Sequence, residues 1–154
     1  MKIDVQWALP CVMTLVVGVG SAAALAAANE FVSVKAAYEA SKAPGTDAAI
    51  AVTFETLKPK IVINENPAPR LRLDEGQQIL DDRQPPSKPG PPPDPANAKY
   101  LDLEIPVRFA VAPREDAPKG EHSVDATVTY FFCSKLQNWC RKGQEKVTIN
   151  VTIP

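Results

Sequence analysis

Two cysteines near the C-terminus, Cys133 and Cys140, are the residues whose type and spacing are best suited to chemistry. They stand in the run Tyr-Phe-Phe-Cys-Ser-Lys-Leu-Gln-Asn-Trp-Cys-Arg-Lys-Gly, residues 130–143. Alternating sequence on both sides predicts that they lie at the tip of a β-hairpin. Thiols this close join into a disulfide in an oxidising compartment, and the neighbouring Phe131 and Trp139 could shield that bond from other thiols.

The spacing leaves two interpretations open, because most disulfides in secreted β-proteins are structural. The ring from Cys133 to Cys140 has eight residues and removes only about 2.5 kcal/mol of chain entropy from the unfolded state. Lys135, Arg141 and Lys142 place positive charge nearby, which favours the thiolate and speeds exchange. Both features argue for a redox couple, in which Cys140 would attack or be attacked and Cys133 would be the resolving cysteine, and the spacing alone does not decide between this couple and a structural staple.

The N-terminal segment has the pattern of a secretory signal peptide. Lys2 supplies a positive charge, and residues 7–28 contain no charged residue. Ala-Leu-Ala ending at Ala26, or Ala-Ala-Ala ending at Ala28, provides the small residues that a signal peptidase needs before its cleavage site. The sequence therefore predicts a signal peptide over residues 1–28, which can also be retained as an anchor helix. The protein is then expected in the periplasm or secreted, and Cys11 belongs to the signal.

Residues 29–154 have the size of one domain. The formal net charge of −1 gives no reason to expect nucleic acid as a partner, and we expect no membrane contact unless the signal stays uncleaved. Residues 84–96 are rich in proline. Because proline withholds backbone N–H donors, this segment is predicted to be a long loop within the domain.

Period-two alternation of apolar and polar residues dominates the rest of the chain and is typical of strands with one buried face. The predicted strands are Leu101–Val111, Val124–Phe132, Val147–Ile153 and the shorter Phe31–Val34, Ala48–Phe54, Ile61–Ile63 and Leu71–Leu73. Residues 36–42 are the one stretch expected to make a turn or two of helix. About seven short strands predict an all-β, immunoglobulin-like antiparallel β-sandwich.

Other chemistries lack the residues they need. Beyond the signal the chain has two cysteines and one histidine, too few for a zinc site, and both methionines lie in the signal. His122 and Ser123 would point to opposite faces of a strand, which argues against a catalytic triad. We expect neither a metal nor a cofactor.

The run from Gly120 through Cys133 and Cys140 to Pro154 resembles the end of the N-terminal periplasmic domain of the thiol:disulfide interchange reductase DsbD. It is also similar to the related β-domains that follow thioredoxin and NHL-repeat modules. The likeness is best over about the last 35 residues. After the second cysteine, Arg-Lys-Gly stands where that family has an aromatic residue and prolines.

The resemblance implies an immunoglobulin-like fold and a hairpin cysteine pair that takes electrons from a thioredoxin-like domain and passes them on by disulfide exchange. By position it assigns that role to Cys133 and Cys140. The predicted function is thus an exported thiol-disulfide exchange domain, acting between a thioredoxin-like protein and other envelope proteins. The alternative is a non-catalytic secreted interaction module, in which the same bond is a structural staple.

Overall fold

The computed structural model describes residues 29–42, 47–84, 94, 96 and 98–154. The predicted signal peptide, residues 1–28, lies outside the described residues, as does most of the proline-rich segment. The described residues contain eight β-strands and no helix. These strands are β1 (Val32–Glu39), β2 (Ala48–Thr56), β3 (Ile61–Ile63), β4 (Arg70–Leu73), β5 (Leu80–Asp82), β6 (Val107–Pro113), β7 (Gly120–Ser134) and β8 (Trp139–Ile153).

The strands form two antiparallel sheets, which confirms the all-β prediction. In the first sheet the order is β1-β2-β6-β5. In the second sheet β7 is central: β3 and β4 pair with successive parts of one edge, and β8 pairs with the other. The predicted hairpin is confirmed, and its ladder runs without a break from the Gly120–Ile153 pair to the Ser134–Trp139 pair.

One hydrophobic core is shared by the two sheets. Ile50 and Val111 of the first sheet and Val128 of the second are each 0% exposed. The rings of Phe54 in β2 and Tyr130 in β7 meet edge to face with centroids 5.1 Å apart. Burying each such side chain contributes about 1.5–3 kcal/mol to stability, so the shared core holds the two sheets together.

The helical turn expected within residues 36–42 is wrong, because residues 36–39 belong to β1. Ala36 pairs with Val52 and Glu39 pairs with Ala49. Ala36 and Tyr38 also pack against the core. The intrinsic helix preference of alanine and glutamate is small, and the ladder with β2 overrides it.

The strand predicted over Leu101–Val111 begins only at Val107. Asp102 starts a turn, in which its Oδ1 accepts a hydrogen bond of 3.0 Å from the backbone N–H of Glu104. Pro106 then has no N–H to give to a ladder. Alternation alone could not reveal this turn, since its apolar residues keep the period of a strand. The short β5 was not predicted, because three residues cannot display a period.

Candidate functional site

Cys133 and Cys140 form a disulfide, as the sequence predicted. The two residues face each other directly across the β7–β8 ladder, one pair before the turn. The turn is closed by Asn138, whose φ of 52° is a left-handed conformation that asparagine tolerates. The backbone N–H of Lys135 is held by the carbonyl of Lys60 at 2.9 Å, which ties the turn to the strand β3.

The two sulfurs have different surroundings. Side chains alternate along β7, so Cys133 lies on the face opposite the core residues Tyr130 and Phe132. Even there Cys133 is only 1% exposed, with Val62 of β3 paired beside it. Cys140 is partly exposed, because the described residues provide β8 with no second strand partner. Cys140 is therefore the sulfur that solvent reaches.

Asn64, which the sequence analysis did not single out, lies against the disulfide. Its backbone N–H donates to the carbonyl of Phe131 at 2.9 Å, which places its side chain on the same face as Cys133. Its Oδ1 lies 2.9 Å from the Sγ of Cys133, and the residue is 0% exposed. Its Nδ2 has no hydrogen-bond partner within the described part of the chain.

Trp139 does not cover the disulfide, because it lies on the core side of the hairpin. It packs edge to face against Phe31 and Phe132, with ring centroids 5.5 and 5.7 Å away. Of the two aromatic residues expected to shield the bond, only Phe131 shares its face. The aromatic cluster therefore stabilises the end of the hairpin and leaves the Cys140 side open.

Positive charge lies beside the exposed sulfur. The guanidinium carbon Cζ of Arg141 is 4.3 Å from the centroid of the Trp139 ring, a cation–π contact that holds the charge in place. Lys142 is exposed and, two residues after Cys140, shares its face of β8. Among the described residues no salt bridge involves Arg141 or Lys142. The charge of Lys142 is thus available to an anion approaching Cys140, whereas Arg141 lies with Trp139 on the opposite face of the hairpin.

A groove of about 320 Å³ opens beside Arg141, the residue that follows Cys140 in the chain. It lies between residues 29–31 and residues 141–144, with Phe132 also lining it. Its lining combines aromatic surface with Arg141, Lys142 and Glu30. The groove therefore offers apolar contact and charge of both signs, but neither Cys133 nor Cys140 lines it.

Tyr130 anchors the strand pair below the groove. It is 0% exposed, and its hydroxyl accepts a hydrogen bond of 2.9 Å from Asn29 Nδ2. Burial raises the pKa of Tyr130 to about 12, with a smaller contribution in the same direction from the negative charge of Glu145, while the Asn29 hydrogen bond acts in the opposite sense. Tyr130 therefore stays neutral at physiological pH and serves the structure.

The remaining candidate groups do not converge. His122 Nε2 lies 2.7 Å from the carbonyl oxygen of Pro118, whereas the Ser123 hydroxyl donates to Asn150 Oδ1 at 3.4 Å. Within the described ranges no group of three or more His, Cys, Asp and Glu side chains is arranged to hold a metal ion. A search of the same residues finds no helix with the length and apolarity to cross a membrane.

No protein-family model, curated protein or solved structure matches this chain. The geometry at Cys133 and Cys140 is therefore the basis on which a function can be inferred.

Proposed function

We propose that this chain is an exported thiol-disulfide exchange domain that relays electrons between a thioredoxin-like partner and other envelope proteins. The observation that carries the proposal is the asymmetry of the disulfide: Cys133 is 1% exposed, whereas Cys140 is partly exposed and shares its face of β8 with Lys142. One accessible sulfur and one buried sulfur is the arrangement that ordered disulfide exchange needs, because attack is directed to one atom.

The fold supports the same proposal. Two antiparallel sheets with a common core are compatible with an immunoglobulin-like β-sandwich. A cysteine pair in the terminal hairpin of such a domain is the feature on which the resemblance to the N-terminal domain of DsbD and its related β-domains rests. We infer that residues 29–154 form this domain and that residues 1–28 direct its export, where the compartment would be oxidising.

In the proposed exchange, a thiolate of the partner attacks Cys140 Sγ. The bond between Cys140 and Cys133 breaks, and Cys133 leaves with the electron pair and takes up a proton. A second thiol of the partner then attacks the partner's own sulfur in the mixed disulfide and releases Cys140 as a thiolate. The partner is now oxidised by two electrons and this domain is reduced. In the onward step, Cys140 attacks a disulfide of an envelope protein and Cys133 resolves the intermediate.

The hairpin suits a reversible bond. The β7–β8 ladder comprises 15 residue pairs, so the two cysteines remain opposed when the bond is open. A staple at this position would therefore add little beyond the closure of a short ring, about 2.5 kcal/mol. A role in disulfide exchange therefore explains the Cys133–Cys140 bond better than a role in stabilising the fold.

The proposal is tested by a reduction potential and by trapping. We expect the pair to equilibrate with glutathione at a potential between about −120 and −270 mV. Cys133→Ala leaves the accessible Cys140 thiol and should hold a mixed disulfide with a thioredoxin-like protein. Cys140→Ala is the matched control, because its remaining thiol is buried and should trap far less. A potential below about −300 mV with no trapped complex from either variant would exclude the exchange function.

A second candidate function is a non-catalytic interaction module with a structural disulfide. The near-complete burial of Cys133 favours it, since buried cysteines are commonly inert. Leu136 at the hairpin turn is 68% exposed and would be available to a protein partner. The same potential measurement distinguishes the two, because a staple resists reduction.

A further inference from the structure

Asn64 is a buried polar residue whose side chain contacts the candidate redox bond. It is 0% exposed, and its Oδ1 lies 2.9 Å from Cys133 Sγ. Its backbone is held independently of the side chain: the N–H donates to Phe131, and Asn64 forms a bridge with Tyr100. Any residue with a backbone N–H could make these contacts. The amide side chain therefore needs another explanation.

In the disulfide state this amide is poorly satisfied. A disulfide sulfur carries no proton, so it cannot donate to the Oδ1 that faces it. Nδ2 also has no partner within the described residues. A buried polar group without a partner destabilises a fold, and an apolar residue of the same shape is often neutral or stabilising there. Asn64 is thus a residue that the oxidised protein does not need.

Reduction changes this balance. When the bond opens, Cys133 gains a proton, and its S–H points from a sulfur already within hydrogen-bonding distance of Oδ1. We propose that Asn64 accepts a hydrogen bond from the Cys133 thiol in the reduced protein and thereby stabilises the reduced state relative to the disulfide. The bond exists in only one redox state, so it shifts the potential of the pair to a less negative value.

The same contact gives the two cysteines different roles, which rests on the exchange function proposed above. A thiol that donates to an amide oxygen is favoured over its thiolate, so Asn64 keeps Cys133 protonated. Among the described residues no such acceptor contacts Cys140, and Lys142 on the same face of β8 favours its thiolate. Asn64 would therefore help to make Cys140 the nucleophile in the reduced domain.

The test is the equilibrium of the whole protein with glutathione. One protein disulfide and two glutathione thiols give two protein thiols and one glutathione disulfide, with transfer of two electrons. Asn64→Leu keeps the side-chain size but removes the acceptor. We expect the equilibrium constant for reduction to fall about tenfold, which is about 30 mV more negative for a two-electron couple. An unchanged or less negative potential overturns the proposal.

Ile63→Val is the matched control. Ile63 is the neighbouring residue of β3 and is also 0% exposed, but it pairs with Phe132 on the core face. Its truncation should weaken the oxidised and reduced forms equally and leave the potential unchanged. If Asn64→Leu does not fold, Asn64→Ala removes the same acceptor and is held to the same expectation.

A measurement on the unaltered protein gives an independent check. The side-chain carbonyl carbon of Asn64 should shift in the NMR spectrum on reduction, as its oxygen gains a hydrogen bond, while that of the exposed Asn150 should not. Absence of a shift specific to Asn64 would contradict the proposal. If glutathione cannot reduce the pair, dithiothreitol replaces it as the reference couple. A failure of the exchange function is then a very low absolute potential, whereas a failure of the Asn64 inference is the absence of a difference between variants.

Discussion

The ring of Tyr130 occupies the space beside Gly143, its partner across the β7–β8 ladder. A Cβ atom at position 143 would lie 2.5 Å from Tyr130 Cζ and 2.6 Å from Cε2. Real side chains do not approach so closely, and the Tyr130 ring is fully buried. Glycine at this position is thus required by the packing of a core aromatic side chain.

The first prediction concerns this pair. Gly143→Ala should destabilise the protein by about 1–3 kcal/mol, the usual cost of overpacking a core, measured by urea unfolding. Gly76→Ala is the matched control, because a Cβ there meets nothing within 4 Å. If the two variants are equally stable, the close packing of Tyr130 on residue 143 is wrong.

The second prediction concerns alkaline pH. The pKa of Tyr130 is raised to about 12 in the fold, whereas in the unfolded chain it is about 10. The neutral form is favoured by folding, so this contribution is intact below pH 10, declines between pH 10 and 12, and is lost above that. It amounts to about 2–3 kcal/mol. In Tyr130→Phe the free energy of unfolding should decline less between pH 10 and 12. The titration of tyrosinate absorbance should also lose the step near pH 12 in that variant.

The third prediction is that the reduced protein stays folded. The ladder on both sides of the cysteines is continuous, and only the ring from Cys133 to Cys140 is opened. Reduction should lower the free energy of unfolding by no more than about 2.5 kcal/mol, with an unchanged far-UV circular dichroism spectrum. Loss of the β-signal on reduction would mean that the bond is needed to hold the fold.

The fourth prediction concerns charge at the exposed sulfur. Lys142→Gln removes a positive charge two residues from Cys140, about 7 Å along a strand. It should slow reduction by glutathione about two- to threefold at low salt, measured by stopped flow. Lys146→Gln makes the same change on the same face of β8, but about 20 Å from Cys140 and beyond the screening length. Equal rates in the two variants would show that the charge of Lys142 plays no part.

The strand pattern was the predictable part of this fold. The period of two in the β7 and β8 runs depends on residues that are neighbours in sequence, and Val124, Val128 and Ile149 are buried as expected. The same period failed at Leu101–Ile105, where an aspartate side chain makes a turn. At Ala36–Glu39 the helix preference of alanine and glutamate led to the prediction of a helical turn. Pairing with β2 makes these residues part of a strand instead.

The site was predictable only as a cysteine pair. Cys133 is buried partly by Asn64, which is 69 positions away in the chain. The local spacing of residues around the cysteines cannot predict such a contact. In the sequence, Asn64 stands in Ile-Asn-Glu-Asn-Pro, a run that indicates a turn. The extra signal would have been the register of β3 on β7, from which the shared face of Asn64 and Cys133 follows.

Each of the two sheets contains strands from both sides of the proline-rich segment. Strands β1–β5 precede it and β6–β8 follow it, yet β6 lies between β2 and β5, and β7 joins β3 and β4. Neither group of strands can complete a sheet alone. After cleavage between residues 84 and 98, the two fragments should therefore stay associated in a folded domain. The chain could therefore be divided at this segment into two fragments, one with β1–β5 and one with β6–β8. If the fragments are produced separately, the β7–β8 hairpin should regain its β3 and β4 neighbours only when the two are mixed. Reassembly of the fragments would then report that the fold has formed.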